Sequence, residues 1–278
     1  MASNNPAFGR GFARAVNGQG PASGQGYAGW GGAPQQSAPQ QYGPTADPYA
    51  APSPYARPAT RFMTMDDVVT KTGISFLVTV LAAALTWALP GSTGWALAIP
   101  AALVGFVLAM VISFKVIANP AATLGYAALE GVFLGAVSEA FNAYYPGIVM
   151  QAVIGTFGVF AGMLVVYKTG AIRVTPRFTR WLLGAMIGVL VLALANWIAT
   201  FFVAGGLGLR NGGTGAIIFS LVVIGVAAMS LLLDFDMADA AIRRGVPARF
   251  AWYVSFGLLV TVVWLYLEIL RLISYLRR

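Results

Sequence analysis

Seven apolar runs, each long enough to cross a bilayer, fill the chain from about residue 73 to its C-terminus and constrain everything else about it. They fall near Gly73–Leu89, Trp95–Val116, Pro120–Ala143, Gly147–Tyr167, Trp181–Val203, Gly215–Leu233 and Phe250–Tyr275. A helix rising ~1.5 Å per residue needs ~20 apolar residues to cross a hydrocarbon core of ~30 Å. Inside that core every backbone N–H and C=O must be satisfied within the segment, which leaves helices or closed barrels. The runs are continuously apolar and lack the polar/apolar alternation of barrel strands, so they predict an all-α integral membrane protein with seven transmembrane helices. Composition agrees: 58% of residues are hydrophobic and 9% charged, too little charge to cover a water-facing surface. The breaks between runs carry turn chemistry, as at Pro90-Gly91-Ser92-Thr93-Gly94, Asn119-Pro120, Tyr145-Pro146-Gly147, Gly205 to Gly213 and Gly245-Val246-Pro247.

The first ~60 residues are different. They hold nine of the fifteen prolines, ten glycines and Gln-rich stretches such as Gln35-Gln36 and Gln40-Gln41, with four charged side chains. Such a segment buries too little to offset its ordering entropy, so residues 1–65 are expected to form a disordered arm and 66–278 the seven-helix domain. No early apolar segment with secretory-signal character occurs in the arm, so a cleaved leader is not expected. Its spaced tyrosines, Tyr27, Tyr42, Tyr49 and Tyr55, read as a plain solvated tail before they read as a tether for a partner. At Thr64-Met65-Asp66-Asp67 the pattern changes, and an acidic first turn there matches a helix start.

Basic residues set the expected orientation. Arg57, Arg61, Lys71, Lys115, Lys168, Arg173, Arg177, Arg180, Arg243, Arg244 and Arg249 all fall on one face of a seven-span chain, against Arg210 among the loops of the other. Lys and Arg accumulate on the cytoplasmic side, so the N-terminus is expected in the cytoplasm of a multi-pass plasma-membrane protein. Seven full spans place Arg277 and Arg278 outside, a conflict that a re-entrant last segment would remove; seven full spans are the preferred reading. The net charge of +8 is dispersed in these loops, so topology accounts for it and a nucleic-acid partner is not expected.

The chain has no cysteine and no histidine, which removes disulfides, thiolate and imidazole metal ligands, and Ser/His or Cys nucleophile systems together. No catalytic residues and no cofactor are expected, and an enzyme is not the favoured class. An intramembrane aspartyl protease in particular would need facing aspartates in Gly-x-Gly-Asp and Tyr-Asp contexts, which the spans lack. What the spans do contain is acid. An ionisable group inside hydrocarbon costs several kcal/mol unless neutralised, paired or wet, and by default marks function. Glu130 and Glu139 lie in the third run, Asp234 and Asp236 at the end of the sixth, and Glu268 in the seventh. Glu130 falls about ten residues in, roughly 15 Å deep, with no basic neighbour in sequence. Asp234 and Asp236 are placed within about two turns of the cytoplasmic surface, and Glu139 and Glu268 far across.

A staggered ladder of this kind suits a cation or proton path, with calcium ions or protons as the transported species. Blander readings stand beside it. Glu139 is interfacial if Asn142 and Tyr144 mark the surface, Glu268 is neutralised locally by Arg271 at i+3, and Asp234 with Asp236 form an acidic turn. Asp239 has Arg243 one turn on as its salt-bridge partner. Gly131-x-x-x-Gly135 offers a flat face for helix packing, and Asn196 reads as an interhelical hydrogen bond before it reads as a ligand.

Several segments together carry a resemblance. They are Ile112-Ser113-Phe114-Lys115, Tyr126 to Gly135 with its Leu-Glu-Gly-Val-Phe-Leu-Gly core, Tyr145-Pro146-Gly147-Ile148-Val149, Tyr167-Lys168-Thr169-Gly170, Leu233-Asp234-Phe235-Asp236, and Trp264-Leu265-Tyr266-Leu267-Glu268-Ile269-Leu270-Arg271. Over about residues 72–276 the chain resembles the Bax inhibitor/YccA family, also called the transmembrane Bax inhibitor motif family, and its actinobacterial-type members most. The resemblance implies six helices around a central C-terminal helix. It also implies a pH-sensitive calcium leak gated by two acids on the last two helices that share a proton, since carboxylates in contact cannot both ionise cheaply. Carried over by motif, the first acid falls on Asp236 and the second on Glu268, with Lys115 as the nearest basic residue able to bias the switch. Glu stands at 268 where the family pattern has Asp. The 32-residue spacing also misaligns the two acids by roughly 15 Å or more if Gly245 to Pro247 is the turn, which makes them separate stations and leaves Glu268 to pair with Glu139 or Arg271. Some bacterial relatives suggest another role, a non-transporting regulator that grips a membrane protease or other membrane protein through the arm.

Overall fold

The structure, a computed structural model, describes residues 61–277 apart from residue 90. The expected arm lies outside the described residues up to residue 60. The described residues form seven long helices, here α1 Met65–Trp87, α2 Gly91–Lys115, α3 Pro120–Tyr144, α4 Ile148–Thr169, α5 Pro176–Ala199, α6 Thr214–Arg243 and α7 Ala251–Leu276, the last entered through a 3₁₀ turn at Ala248–Phe250. All seven are long and apolar enough to cross a membrane. The seventh is continuous over its 26 residues, with no break that would turn it back. We call the face where α1 and α7 begin the near face and the opposite one the far face.

The local signals act where the sequence puts them. Thr64 caps α1 in a capping box, accepting from the Asp67 N–H at 3.3 Å while its own N–H donates to Asp67 at 3.2 Å. Asn119 and Thr175 cap α3 and α5, each followed by a proline at the first helical position, where a missing N–H costs nothing. Gly170 ends α4 in the left-handed region, at φ 68°. Two spans depart from the expected bounds. α6 runs ten residues past Leu233, because Asp234 to Arg243 keeps good helix formers after the apolar run stops. α5 ends at Ala199, and the chain then loops through Gly205, Gly206 and Gly208, all at positive φ.

Helix α7 is the centre. In its membrane-spanning window 61% of residues are buried, against 11% for α5, and it packs directly on α1, α3, α4 and α6. Helices α2 and α5 complete the ring one layer out, α2 leaning on α3 and α5 on α6, with large apolar side chains such as Phe106, Val107, Leu190 and Val191 turned outward as a lipid-facing surface demands.

Helices α1, α3 and α7 run in the same direction and are tied at matching levels. Ser75 and Ser255 hydroxyls meet at 2.9 Å, the Thr79 hydroxyl donates to the Ala127 carbonyl at 3.1 Å, Thr123 donates to the Trp252 carbonyl at 3.1 Å, and Ser138 and Tyr266 hydroxyls meet at 2.7 Å. In hydrocarbon, where apolar burial drives no helix association, such bonds and close backbone approach hold helices together. The close approach is at Gly131 and Gly135. A Cβ on Gly131 would stand 2.4 Å from the Thr79 carbonyl oxygen, and one on Gly135 2.4 Å from that of Ala83, so α3 lies against the bare backbone of α1.

At the near face the segment before α1 straps the α6–α7 turn. Met63 N–H donates to the Val246 carbonyl and Ala248 N–H to the Arg61 carbonyl, both at 2.8 Å. Lys71 adds its ammonium to the Ala248 carbonyl at 2.5 Å and lies over the Trp252 ring at 5.7 Å, and Asp67 bridges Arg61 at 3.2 Å and Lys71 at 3.9 Å.

Candidate functional site: carboxylates around the central helix

The acids are placed by α3, α6 and α7, and the structure separates them into levels. Nearest the near face, Asp239 receives Arg243 at 2.5 Å, one turn on as the spacing required, and accepts a weak 3.4 Å bond from the Tyr167 hydroxyl of α4. Asp236, half-buried, is within electrostatic reach of the same phenol.

Asp234 is the acid turned to the central helix. One carboxylate oxygen would stand 3.8 Å from a Cβ on Gly257 of α7, and the Thr261 hydroxyl, one turn further along α7, hydrogen-bonds to the same carboxyl. Its other oxygen, Oδ2, is buried with no hydrogen-bond partner among the described residues. A buried acceptor left unmatched is costly, and at an ionisable group it marks a place where a proton or cation is accommodated. Asp234 lies nine residues before the end of α6, about 14 Å along the helix.

Glu130 sits at the same depth on another flank of α7. The pairs Thr123 with Trp252, Tyr126 with Phe256 and Ser138 with Tyr266 set the register of α3 on α7, which brings Glu130 level with Leu259 and Val260, between the Gly257 and Thr261 that border Asp234. The Tyr126 hydroxyl, one turn back on α3, hydrogen-bonds to it.

Glu268 is the most buried of the acids, 3% exposed. The Ser220 hydroxyl of α6 donates to Oε1 at 2.8 Å, and the Arg271 guanidinium, one turn on, donates to Oε2. Asp236 is sixteen residues from Ser220 along α6, about 24 Å, so Asp236 and Glu268 do not touch. Of the two partners open to Glu268 it has Arg271. Glu139, half-buried five residues before the end of α3, makes no hydrogen bond or ion pair among the described residues, and neither does Lys115, exposed at the end of α2. Among the described residues no group of three or more acids converges into a metal site.

Other residues carrying this arrangement gave little or no signal in sequence. Tyr126 is a turn from Glu130 and detectable by spacing alone, whereas Ser220, Gly257 and Thr261 acquire their roles only from how α6 and α7 meet. Asn196 serves its own chain: its side-chain oxygen accepts from the Leu207 and Leu209 N–H groups at 3.1 and 3.3 Å and folds the α5–α6 loop back on α5. Cavities adjoin the bundle at several places among the described residues. One of about 270 Å³, mostly apolar, has Thr79, Ser138, Thr156 and Tyr266 in its wall. One of about 450 Å³ between α5, α6 and α7 is bordered by Glu268 and Arg210. A third, at the far face, is shared by Arg210 and Arg271.

Among individually curated proteins none matches the chain significantly. The match to a family, by contrast, runs over residues 5–278, and with seven apolar helices among the described residues, six of them around the C-terminal one, the chain belongs to the family described as Bax inhibitor 1 like.

Proposed function

We propose that this membrane protein passes cations, calcium foremost, as a leak channel or exchanger regulated by protons, with its buried carboxylates as the stations. The observation that carries the reading is Asp234, an acid turned onto the central helix with one oxygen buried and unmatched. Glu130 at the same level gives a second acid on another flank of α7, so motion of that one helix acts on both. Glu268, matched by Arg271 and Ser220, fits a station that is shut until the pair separates. No catalytic role is assigned to any of these groups. The basic residues of the near-face loops support placing that face in the cytoplasm and the protein in the plasma membrane.

The test is calcium entry into liposomes containing the purified protein, measured across roughly pH 6 to 8. A pH-dependent flux above empty vesicles is expected, and Asp234→Asn should change its rate by about tenfold, a barrier change of ~1.4 kcal/mol. Absence of flux at every pH sinks the reading. Flux unchanged by Asp234→Asn and by Glu130→Gln removes the carboxylates from it.

A second reading, a non-transporting regulator that binds a partner such as a membrane protease, is favoured by the neutralised state of Glu268 and the lack of a converging acid cluster among the described residues. Co-purification of a membrane partner with the full chain but not with a chain lacking residues 1–60, in a protein silent in the flux assay, would establish it.

A further inference from the structure

Two arginines meet at one far-face cavity: Arg271, the partner of Glu268, and Arg210, which no role above uses. Arg210 stands in the α5–α6 loop and is exposed. Its guanidinium makes no hydrogen bond or ion pair among the described residues. Arg271 extends from α7, one edge of its guanidinium on Glu268. Both border the same far-face cavity of about 480 Å³, with Tyr144, Tyr145, Ser274 and Tyr275. The local charges sum to one net positive: two guanidiniums against Glu268. Burial and the neighbouring Arg271 push the Arg210 pKa below its ordinary value, with Glu268 opposing, yet a guanidinium stays charged at neutral pH. Two guanidiniums border one cavity; Arg271 is matched by Glu268 while Arg210 has no ion pair among the described residues, and that surplus of positive charge favours an anion there.

The loop that carries Arg210 is fixed rather than draped. Asn196, 4% exposed, holds two of its N–H groups, Gly206 takes φ 62° against the Asn196 carbonyl, and the Tyr275 hydroxyl donates to the Arg210 carbonyl at 3.3 Å. Each tie fixes Arg210 relative to α5 or α7, so the site is built before a ligand arrives. Arg271 lies five residues before the end of α7, about 7 Å from its tip, the depth at which lipid headgroups meet the protein. Planar guanidiniums match the oxygens of a phosphate group in pairs of parallel hydrogen bonds, and the hydroxyls of Tyr144 and Tyr145 border the same cavity.

We propose that Arg210 and Arg271 form a binding site for a phosphate-type oxyanion at the far face, carried either on a lipid headgroup or as a free ion. The full chain is purified in a neutral detergent and given two probes separately: phosphatidylglycerol, its bound copies counted by native mass spectrometry, and radiolabelled inorganic phosphate in equilibrium dialysis. At least one probe is expected to bind saturably, one per chain, and to weaken as salt is raised. Phosphatidylglycerol alone binding identifies the lipid source, and phosphate alone identifies the free ion. Arg210→Gln, which leaves the Glu268–Arg271 pair intact, should weaken binding about tenfold or more with the thermal midpoint unchanged. Arg177→Gln, at the exposed start of α5 on the near face, should bind as the native chain does. Arg210→Lys keeps the charge but loses the fork, and should bind at least about threefold more weakly than arginine. The proposal is overturned if the native chain binds neither probe saturably, or if Arg210→Gln or Arg210→Lys binds as the native chain does.

Discussion

Glu268 and Arg271 occupy one turn of α7, and each offsets the other's charge where Glu268 is shut away from water. Removing one partner of a buried pair leaves an uncompensated charge, a loss of about 3–5 kcal/mol, whereas replacing both with apolar groups of similar volume is often neutral. Glu268→Gln is therefore expected to lower the thermal midpoint in detergent steeply, and Glu268→Met combined with Arg271→Leu to recover more than half of that loss; a double variant no more stable than the single one refutes the pairing as a structural unit. The i+3 spacing made this pair legible in sequence. The second bond to Glu268 was not, because nothing around Ser220 distinguishes it from the other small polar residues of the spans until α6 is laid against α7. Asp234 was visible as an acid near the end of an apolar run. Its lone oxygen was not, since the absence of a partner is a property of the opposing helix, which offers only Gly257 and Thr261 at that level.

At the scale of the helix, the small-residue face of α3 makes the sharpest expectation. Gly131→Ala would drive a methyl group into the backbone of α1, with the Ala82 Cβ 2.7 Å away as well, and the neighbouring atoms are too rigid to yield. Such overpacking costs about 1–3 kcal/mol. Gly158→Ala on α4, where an added methyl meets nothing within 4 Å, should cost nothing in the same melting experiment; equal melting of the two variants would mean that α1 and α3 are not in close contact. Thr79→Val should remove one interhelical bond, worth about 0.6 kcal/mol and up to ~2. The spans themselves were readable from apolarity, and the starts of α1 and α3 from Thr64 to Asp67 and from Asn119-Pro120, whereas α5 begins at Pro176, five residues before the expected Trp181. The far end of α6 was missed for a physical reason: Asp234 to Arg243 is helical by propensity and by packing of Phe235, Ala238 and Ala241 on the core, while hydropathy registers only that its acids have begun. Register was likewise hidden. The Gly131-x-x-x-Gly135 spacing announced a contact face, but which helix it meets is decided by the whole bundle.

For the molecule as a whole, the near-face strap joins the residues just before the first span to the turn before the last. Its two backbone bonds and the Lys71 ammonium on the Ala248 carbonyl all require the end of α6 and the turn into α7 to be in place. During synthesis, then, α1 enters the bilayer long before its partners exist: the Ser255 hydroxyl that meets Ser75 and the carbonyl that takes Lys71 are the last to leave the ribosome. Nascent chains released after α5 should consequently be open at the near face and cut rapidly by an added protease around residues 61–71, whereas chains extended past residue 260 should resist; equal sensitivity at both lengths would mean that the strap contributes nothing to closure. Folding of this bundle thus closes on the segment that enters its first span, and quality control that inspects the near face can tell a finished molecule from an unfinished one by that single junction.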